Sequence, residues 1–174
     1  MNEFTVTTHR RDQLSHRGRE QSQALLTTVF GEDQDTVWAE GDWLVLVHTA
    51  EGILASMVEI LERTVTVDRR PVRTGGISSV GTLPEYRRRG YSTAALQVAA
   101  EFMRDTLGVS FALLVTGDEE IPFYQRLGWQ VFAGPVSFDQ PDGRILTHDG
   151  VNMVLPLSSD TWPSGPVHLC GLPW

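Results

Sequence analysis

The sequence predicts an α+β fold, a mixed and mostly antiparallel sheet with helices on both faces. Three observations predict it. Between Trp43 and Leu83, three apolar, β-branched runs follow one another across two short turns, the pattern of an antiparallel meander. Leu96, Ala99, Met103 and Leu107 then recur at helical spacing and form one apolar stripe. Ser-Phe-Ala-Leu-Leu-Val at 110–115 is a short continuous apolar run, as expected of a strand covered on both faces.

In chain order, Phe4 to His9 alternates and is rich in β-branched residues, so it reads as a first strand. Leu14 to Phe30 is helix material, stopped by Gly31. Glu32 to Asp42 is an acidic loop holding Glu32, Asp33, Asp35, Glu40 and Asp42, with Val37-Trp38 inside it. Such a run is commonly a solvated rim; with a tryptophan beside it, it also suits a wall that receives a cation. The meander follows: Trp43 to Thr49, Ile53 to Val67 and Val72 to Leu83, with turns at 50–52 and 68–71. A helix over 92–107 ends at Gly108. After the strand at 110–115, a short helix runs to Leu127 with Asp118 as its expected N-cap and Gly128 behind it. Trp129 to Phe132, Val136 to Phe138 and Asn152 to Leu157 read as further strands. Six of the nine prolines lie from Pro135 onward, so stiff loops are expected between them.

At 174 residues, 41% hydrophobic and 21% charged, the chain has the size and composition of one globular domain spanning 1–174. No run approaches a membrane span, and 1–11 is polar with no apolar signal core. The single cysteine, Cys170, excludes an internal disulfide, and together these features point to the cytoplasm. The net charge of −8 argues against nucleic-acid binding and suits cationic substrates. All 14 basic residues are arginine, so chemistry on a lysine is excluded. The five histidines show no metal spacing, and no metal is expected.

Arg87-Arg88-Arg89-Gly90-Tyr91-Ser92 stands between the third strand of the meander and a helix N-terminus. Unpaired N–H groups and the helix dipole favour an anion there, Gly90 permits close backbone approach, and guanidinium groups match phosphate oxygens. Neither Gly-x-Gly-x-x-Gly nor Gly-Lys-Ser/Thr is present, so hydride transfer and nucleotide hydrolysis are poorly supported.

The run from Val80 to Leu96, Val-Gly-Thr-Leu-Pro-Glu-Tyr-Arg-Arg-Arg-Gly-Tyr-Ser-Thr-Ala-Ala-Leu, resembles the acetyl-CoA pyrophosphate motif of the GCN5-related N-acetyltransferases (GNAT). Ser92 stands where that motif has Gly or Ala. Ile-Pro-Phe-Tyr-Gln-Arg-Leu-Gly-Trp at 121–129 resembles the family's second signature. Residues 127–137, 149–156 and 168–174 are similar to the C-terminal part of aminoglycoside 2'-N-acetyltransferases. The resemblance implies acetyl-CoA as co-substrate, a small-molecule amine as acceptor, direct transfer and a homodimer. It implies that Val80, Gly81 and Thr82 bind the pantetheine arm and thioester, and that Arg87, Arg88, Arg89, Gly90, Tyr91 and Ser92 hold the pyrophosphate. Tyr124 matches the tyrosine that protonates the departing thiolate. Asp33, Asp35, Ser79, Asp149 and Trp174 fall on the acceptor side.

Two departures stand out. Ser78 occupies the position of the glutamate that helps deprotonate the amine in the aminoglycoside enzymes, and serine is no base at neutral pH. Glu59, Asp33, Asp35 and His48 are the alternative proton acceptors. The acidic residue that precedes the terminal Trp in those enzymes is replaced by Leu172-Pro173. The other acceptors compatible with these changes are another small amine or a protein N-terminus, and a non-catalytic acyl-CoA- or drug-binding role fits a missing base. His168 and Cys170 share one face of an extended run without other features of a cysteine enzyme.

Overall fold

A computed structural model describes residues 4–31 and 35–174. The expected elements are present, with two additions. β1 (Phe4–Arg10) leads through a short turn to α1 (His16–Phe30), and β2 (Trp43–Thr49), β3 (Leu54–Val67) and β4 (Arg70–Thr82) form the meander. α2 (Tyr91–Phe102) continues as a π-helical turn, Met103–Leu107, before β5 (Phe111–Thr116). α3 (Ile121–Arg126), β6 (Gln130–Val131), β7 (Val136–Asp139), β8 (Ile145–Thr147), β9 (Val151–Pro156) and β10 (Val167–His168) complete the chain. The short strands β8 and β10 carry too few residues to show a period in the sequence.

The strand order is β6-β9-β5-β4-β3-β10-β7-β8, with β1 on β2 and β2 on β3. The β4–β5 and β10–β7 pairs are parallel and the β1–β2, β2–β3, β5–β9, β6–β9, β7–β8 and β3–β10 pairs antiparallel, the mixed and mostly antiparallel α+β sheet that the sequence predicts. The residues group into two compact units, and β3 and β4 contribute to both.

The first unit holds β1, α1, β2, the first part of β3, the last part of β4 and α2 through Glu101. Ser15 caps α1 by accepting a hydrogen bond from Gly18 N, and Gly31 ends the helix in the left-handed region that glycine tolerates. Leu14, Leu25, Leu44, Leu46, Leu54 and Met57 form its buried cluster, with Leu26, Val29 and Leu83 against it.

The second unit holds Thr36–Ala39, Glu62–Gly76 and everything from Phe102 onward. Gly75 and Gly76 of β4 lie at its centre. A side chain on Gly75 would run into Met103, and one on Gly76 into the Trp174 indole. Successive residues of a strand face opposite ways, so the glycine pair lets both side chains close on β4 from its two faces. β4 pairs with β5 only over Thr74–Gly76 and Phe111–Leu113, whereas β5 pairs with β9 along its whole length. The expected cap at Asp118 does not form. Gly117 and Glu120 hold the cap positions of the turn and of α3, without a side-chain bond, because a 3₁₀ turn at Asp118–Glu120 takes up the first three residues.

Candidate active site

In the first unit, β4 ends in an irregular stretch. Ser79 has φ 52, in the left-handed region that a non-glycine residue enters at a cost of about 1–3 kcal/mol. Such a kink inside a strand re-aims the neighbouring backbone groups, as a β-bulge does. Ser78 Oγ beside it is shielded from solvent and meets no partner among the described residues. Val80, Ser79 and Thr82 are half-buried and Gly81 is buried. A side chain on Gly81 would meet Leu25 of α1 at 2.9 Å, so the helix packs directly on the backbone there.

The chain then turns through Pro84–Tyr86 into the arginine loop. Arg87 Nε donates to Thr82 O at 3.2 Å, tying the loop back to the end of β4. Arg88 and Gly90 have φ 60 and φ 83, and nothing lies within 4 Å of where a Gly90 side chain would stand. Ala94 N bonds to Gly90 O at 3.0 Å, so by helix geometry the N–H groups of Tyr91, Ser92 and Thr93 precede the first intrahelical bond. Left-handed residues in a turn, a helix N-terminus and three exposed arginines are features suited to binding a pyrophosphate. Arg89 lies over the Tyr86 ring at 5.7 Å. The Tyr91 ring is buried against Phe4 (4.9 Å) and Tyr86 (5.7 Å).

Three of the alternative proton acceptors, Glu59, His48 and Asp35, are described in this unit. Glu59 is buried, 2.7 Å from Arg11 Nη2 at an angle too bent for a hydrogen bond, and accepts from Gly41 N at 2.9 Å. Arg11 Nε in turn donates to Gly41 O at 2.6 Å, closing a ring that joins the end of β1 to the entry of β2. Burial, with the neighbouring His9, lowers the His48 pKa and keeps its imidazole neutral at pH 7. Asp33 lies outside the described residues, and Asp35 is exposed.

In the second unit, Tyr124 is buried on α3, its ring edge-on to Phe123 (5.1 Å) and Trp129 (6.1 Å). Burial, and then the charge of Glu120, push its phenol up to about 12. Trp174 is buried as well; its indole N–H donates to Leu113 O at 3.3 Å. Arg63 holds the approach to it, donating to Leu169 O (3.3 Å) and Leu172 O (2.7 Å) and lying over the Trp174 ring at 5.0 Å. A small cavity of about 10 Å³, room for about one water, is lined by Leu113, Leu114, Phe132, His148, Asn152 and Trp174 among others, without a carboxylate.

Asp149 is exposed, and its charge partly offsets the burial that lowers the His148 pKa. Trp38 stacks on His148 at 6.3 Å, and the segment carrying it is held by Gln140, which accepts from Val37 N (3.0 Å) and donates to Val37 O (3.1 Å). Cys170 N donates to His168 Nδ1 at 3.1 Å, and the Cys170 thiol bonds the His168 carbonyl at 3.5 Å; there is no thiol–imidazole pair.

Val80 to Thr82 and Arg87 to Ser92 are thus brought together within the first unit, whereas Trp174 and Asp149 belong to the second and stand apart in character, one buried and one exposed. The residues missed from sequence are Ser56, which bonds the end of β4, and His148. Ser56 had a signal, as a lone hydroxyl in the apolar run Leu54-Ala-Ser-Met-Val58; His148 had none. Among the described residues, no group of three or more His, Cys, Asp or Glu is placed to hold a metal, and no helix is long and apolar enough to cross a membrane.

Residues 12–132 match the family model of the acetyltransferase (GNAT) domain. None of the curated proteins matches the chain. Among solved structures, it is similar to the GNAT family N-acetyltransferase YhbS from Escherichia coli in complex with CoA, with TM-score 0.70 and 15% identity over 97% of this chain and 90% of that one. It is also similar to Escherichia coli ElaA, with TM-score 0.65 and 16% identity over 87% of this chain and 99% of that one. The ribosomal-protein-S18-alanine N-acetyltransferase from Escherichia coli follows, with TM-score 0.58 and 17% identity over 90% and 97%. At such identities the structural likeness speaks to the fold. The family match covers well over half of the chain: the chain belongs to the GNAT family, N-acetyltransferases whose acyl donor is acetyl-CoA.

Proposed function

We propose that the protein moves the acetyl group directly from acetyl-CoA to a primary amine of a small cationic acceptor, aminoglycosides being the first class to test. The observation that carries this reading is the continuity of the end of β4 with the arginine loop. A kinked strand end offers backbone groups, and the pyrophosphate cradle begins five residues later. In this reading Val80, Gly81 and Thr82 receive the pantetheine arm and thioester, and Arg87 to Ser92 hold the pyrophosphate. The neutral amine attacks the thioester carbon to form the C–N bond, the oxyanion meets backbone N–H groups of the strand, and on collapse the C–S bond breaks while the nitrogen loses a proton and the CoA sulfur gains one.

Tyr124 serves the departing sulfur. With its phenol at about 12, full transfer to a thiolate of pKa about 8.5 is uphill by about 5 kcal/mol, so the hydroxyl acts first as a hydrogen-bond donor. Ser78 contributes no base. With Glu59 held in its ring, the amine arrives neutral or gives its proton to His48, whose imidazole is neutral at pH 7.

A second reading is favoured by Ser78 at the glutamate position and by Leu172-Pro173 where the aminoglycoside enzymes carry an acidic residue. It is acetylation of a less charged amine or of a protein N-terminus, with Asp35, Ser79, Asp149 and Trp174 playing a lesser part than in the first reading. CoA release is to be followed over a panel of aminoglycosides, simple amines and peptides, with wild type and Tyr124→Phe. Turnover on one class assigns the acceptor, and the variant is expected to lose about tenfold or more in kcat. CoA binding without turnover on any amine would overturn the transfer.

A further inference from the structure

The end of β4 is held by a hydroxyl that belongs to another strand. Ser56, wholly buried on β3, lies 2.8 Å from Gly81 O and 2.8 Å from Thr82 Oγ1. A carbonyl oxygen only accepts, so the single hydroxyl hydrogen of Ser56 goes to Gly81 O. Ser56 Oγ can then only accept from Thr82, and the Thr82 hydroxyl hydrogen is committed inward. The neighbouring groups are committed too. Leu83 N donates to Ala55 O at 2.9 Å, and Thr82 O accepts from Arg87 Nε at 3.2 Å. Among these hydroxyl and carbonyl groups, what remains is acceptor in character: the lone pairs of Thr82 Oγ1 and the second lone pairs of two carbonyls.

We infer that Ser56 is a positioning residue for the acyl donor: through Thr82 it fixes the strand end as a set of acceptors for the amide N–H groups of the pantetheine arm. This rests on the reading of Val80 to Thr82 as the donor's place. Without Ser56 the Thr82 hydroxyl turns freely, can present its hydrogen outward, and meets an amide N–H donor against donor.

The test is the binding of CoA and of adenosine 3',5'-bisphosphate, which lacks the pantetheine arm, measured by calorimetry on the full chain. Ser56→Ala is expected to weaken CoA by about three- to tenfold and to leave the bisphosphate within about twofold of wild type. Thr82→Val, which removes the oriented hydroxyl and keeps the shape, should weaken CoA to a similar degree. The double variant should be no weaker than Thr82→Val alone, because Ser56 acts through Thr82. Equal losses for both ligands, or additive losses in the double variant, would make Ser56 a packing residue and overturn the inference. Wild-type binding of both ligands with no change in Ser56→Ala overturns it alone; wild type that binds neither overturns the donor-site reading with it.

Discussion

Removing Arg11 or Glu59 separates structural from chemical carboxylates in this protein. Glu59 lies on β3 and is one of four candidate proton acceptors in the sequence, yet its side chain is only 5% exposed and is engaged by Arg11 and Gly41 N. Breaking a buried ion pair by deleting one partner costs about 3–5 kcal/mol, because the other charge is left stranded. The Arg11 side chain is 30% exposed, so water can reach the vacated place, and the lower end of about 3 kcal/mol applies to Arg11→Ala. For a chain of this size, that corresponds to a fall in Tm of about 6–12 °C. Glu59→Gln keeps an acceptor for Gly41 N and loses only the charge, so about 1–2 kcal/mol is expected. Thermal melts and CoA release are to be measured together on both variants. The expected result is a lower Tm with kcat for Glu59→Gln held within about threefold. A loss of kcat beyond about a hundredfold at unchanged Tm would make Glu59 the base and refute the structural assignment.

Two further outcomes are expected. Burial holds the His148 pKa below its ordinary value, with Asp149 opposing, and His48 is shifted the same way by burial and His9. Above about pH 6.5 both are neutral folded or unfolded; below it the unfolded chain binds protons that the folded chain refuses, so stability falls as pH falls toward the folded pKa. The Tm loss between about pH 7 and about pH 5.5 should therefore be smaller in His148→Gln, and an equal loss would count against its burial as the cause. Arg87→Ala combined with Arg89→Ala should raise the KM for acetyl-CoA at least about tenfold, and an unchanged value would reduce the loop to surface charge.

The meander, the amphipathic helix and the arginine loop were legible in the sequence because each is written in local periodicity or local residue chemistry. The arginine loop is a contiguous run, so Arg87 to Ser92 could be read directly. What could not be read is what depends on partners distant in sequence. Glu59 looks like any carboxylate until Arg11 and Gly41 are placed beside it. Ser56 shows its role only once Gly81 and Thr82 are paired with it across strands. The packing of the Trp174 indole against Gly76, nearly a hundred positions away, could not be read either.

The adjacent glycines of β4 give the second unit a place where the sheet is one bare backbone thick. Met103, at the start of the π-helical turn, and Trp174, at the end of the tail, press on it from either side. The least replaceable positions of this unit therefore include Gly76, which carries no side chain. A methyl group at Gly76 has to evict a rigid indole and the N–H bond it makes to Leu113, while one at Gly75 meets a flexible thioether that can yield. Two neighbours of identical type thus differ in tolerance, and the difference is set by the stiffness of what lies opposite each.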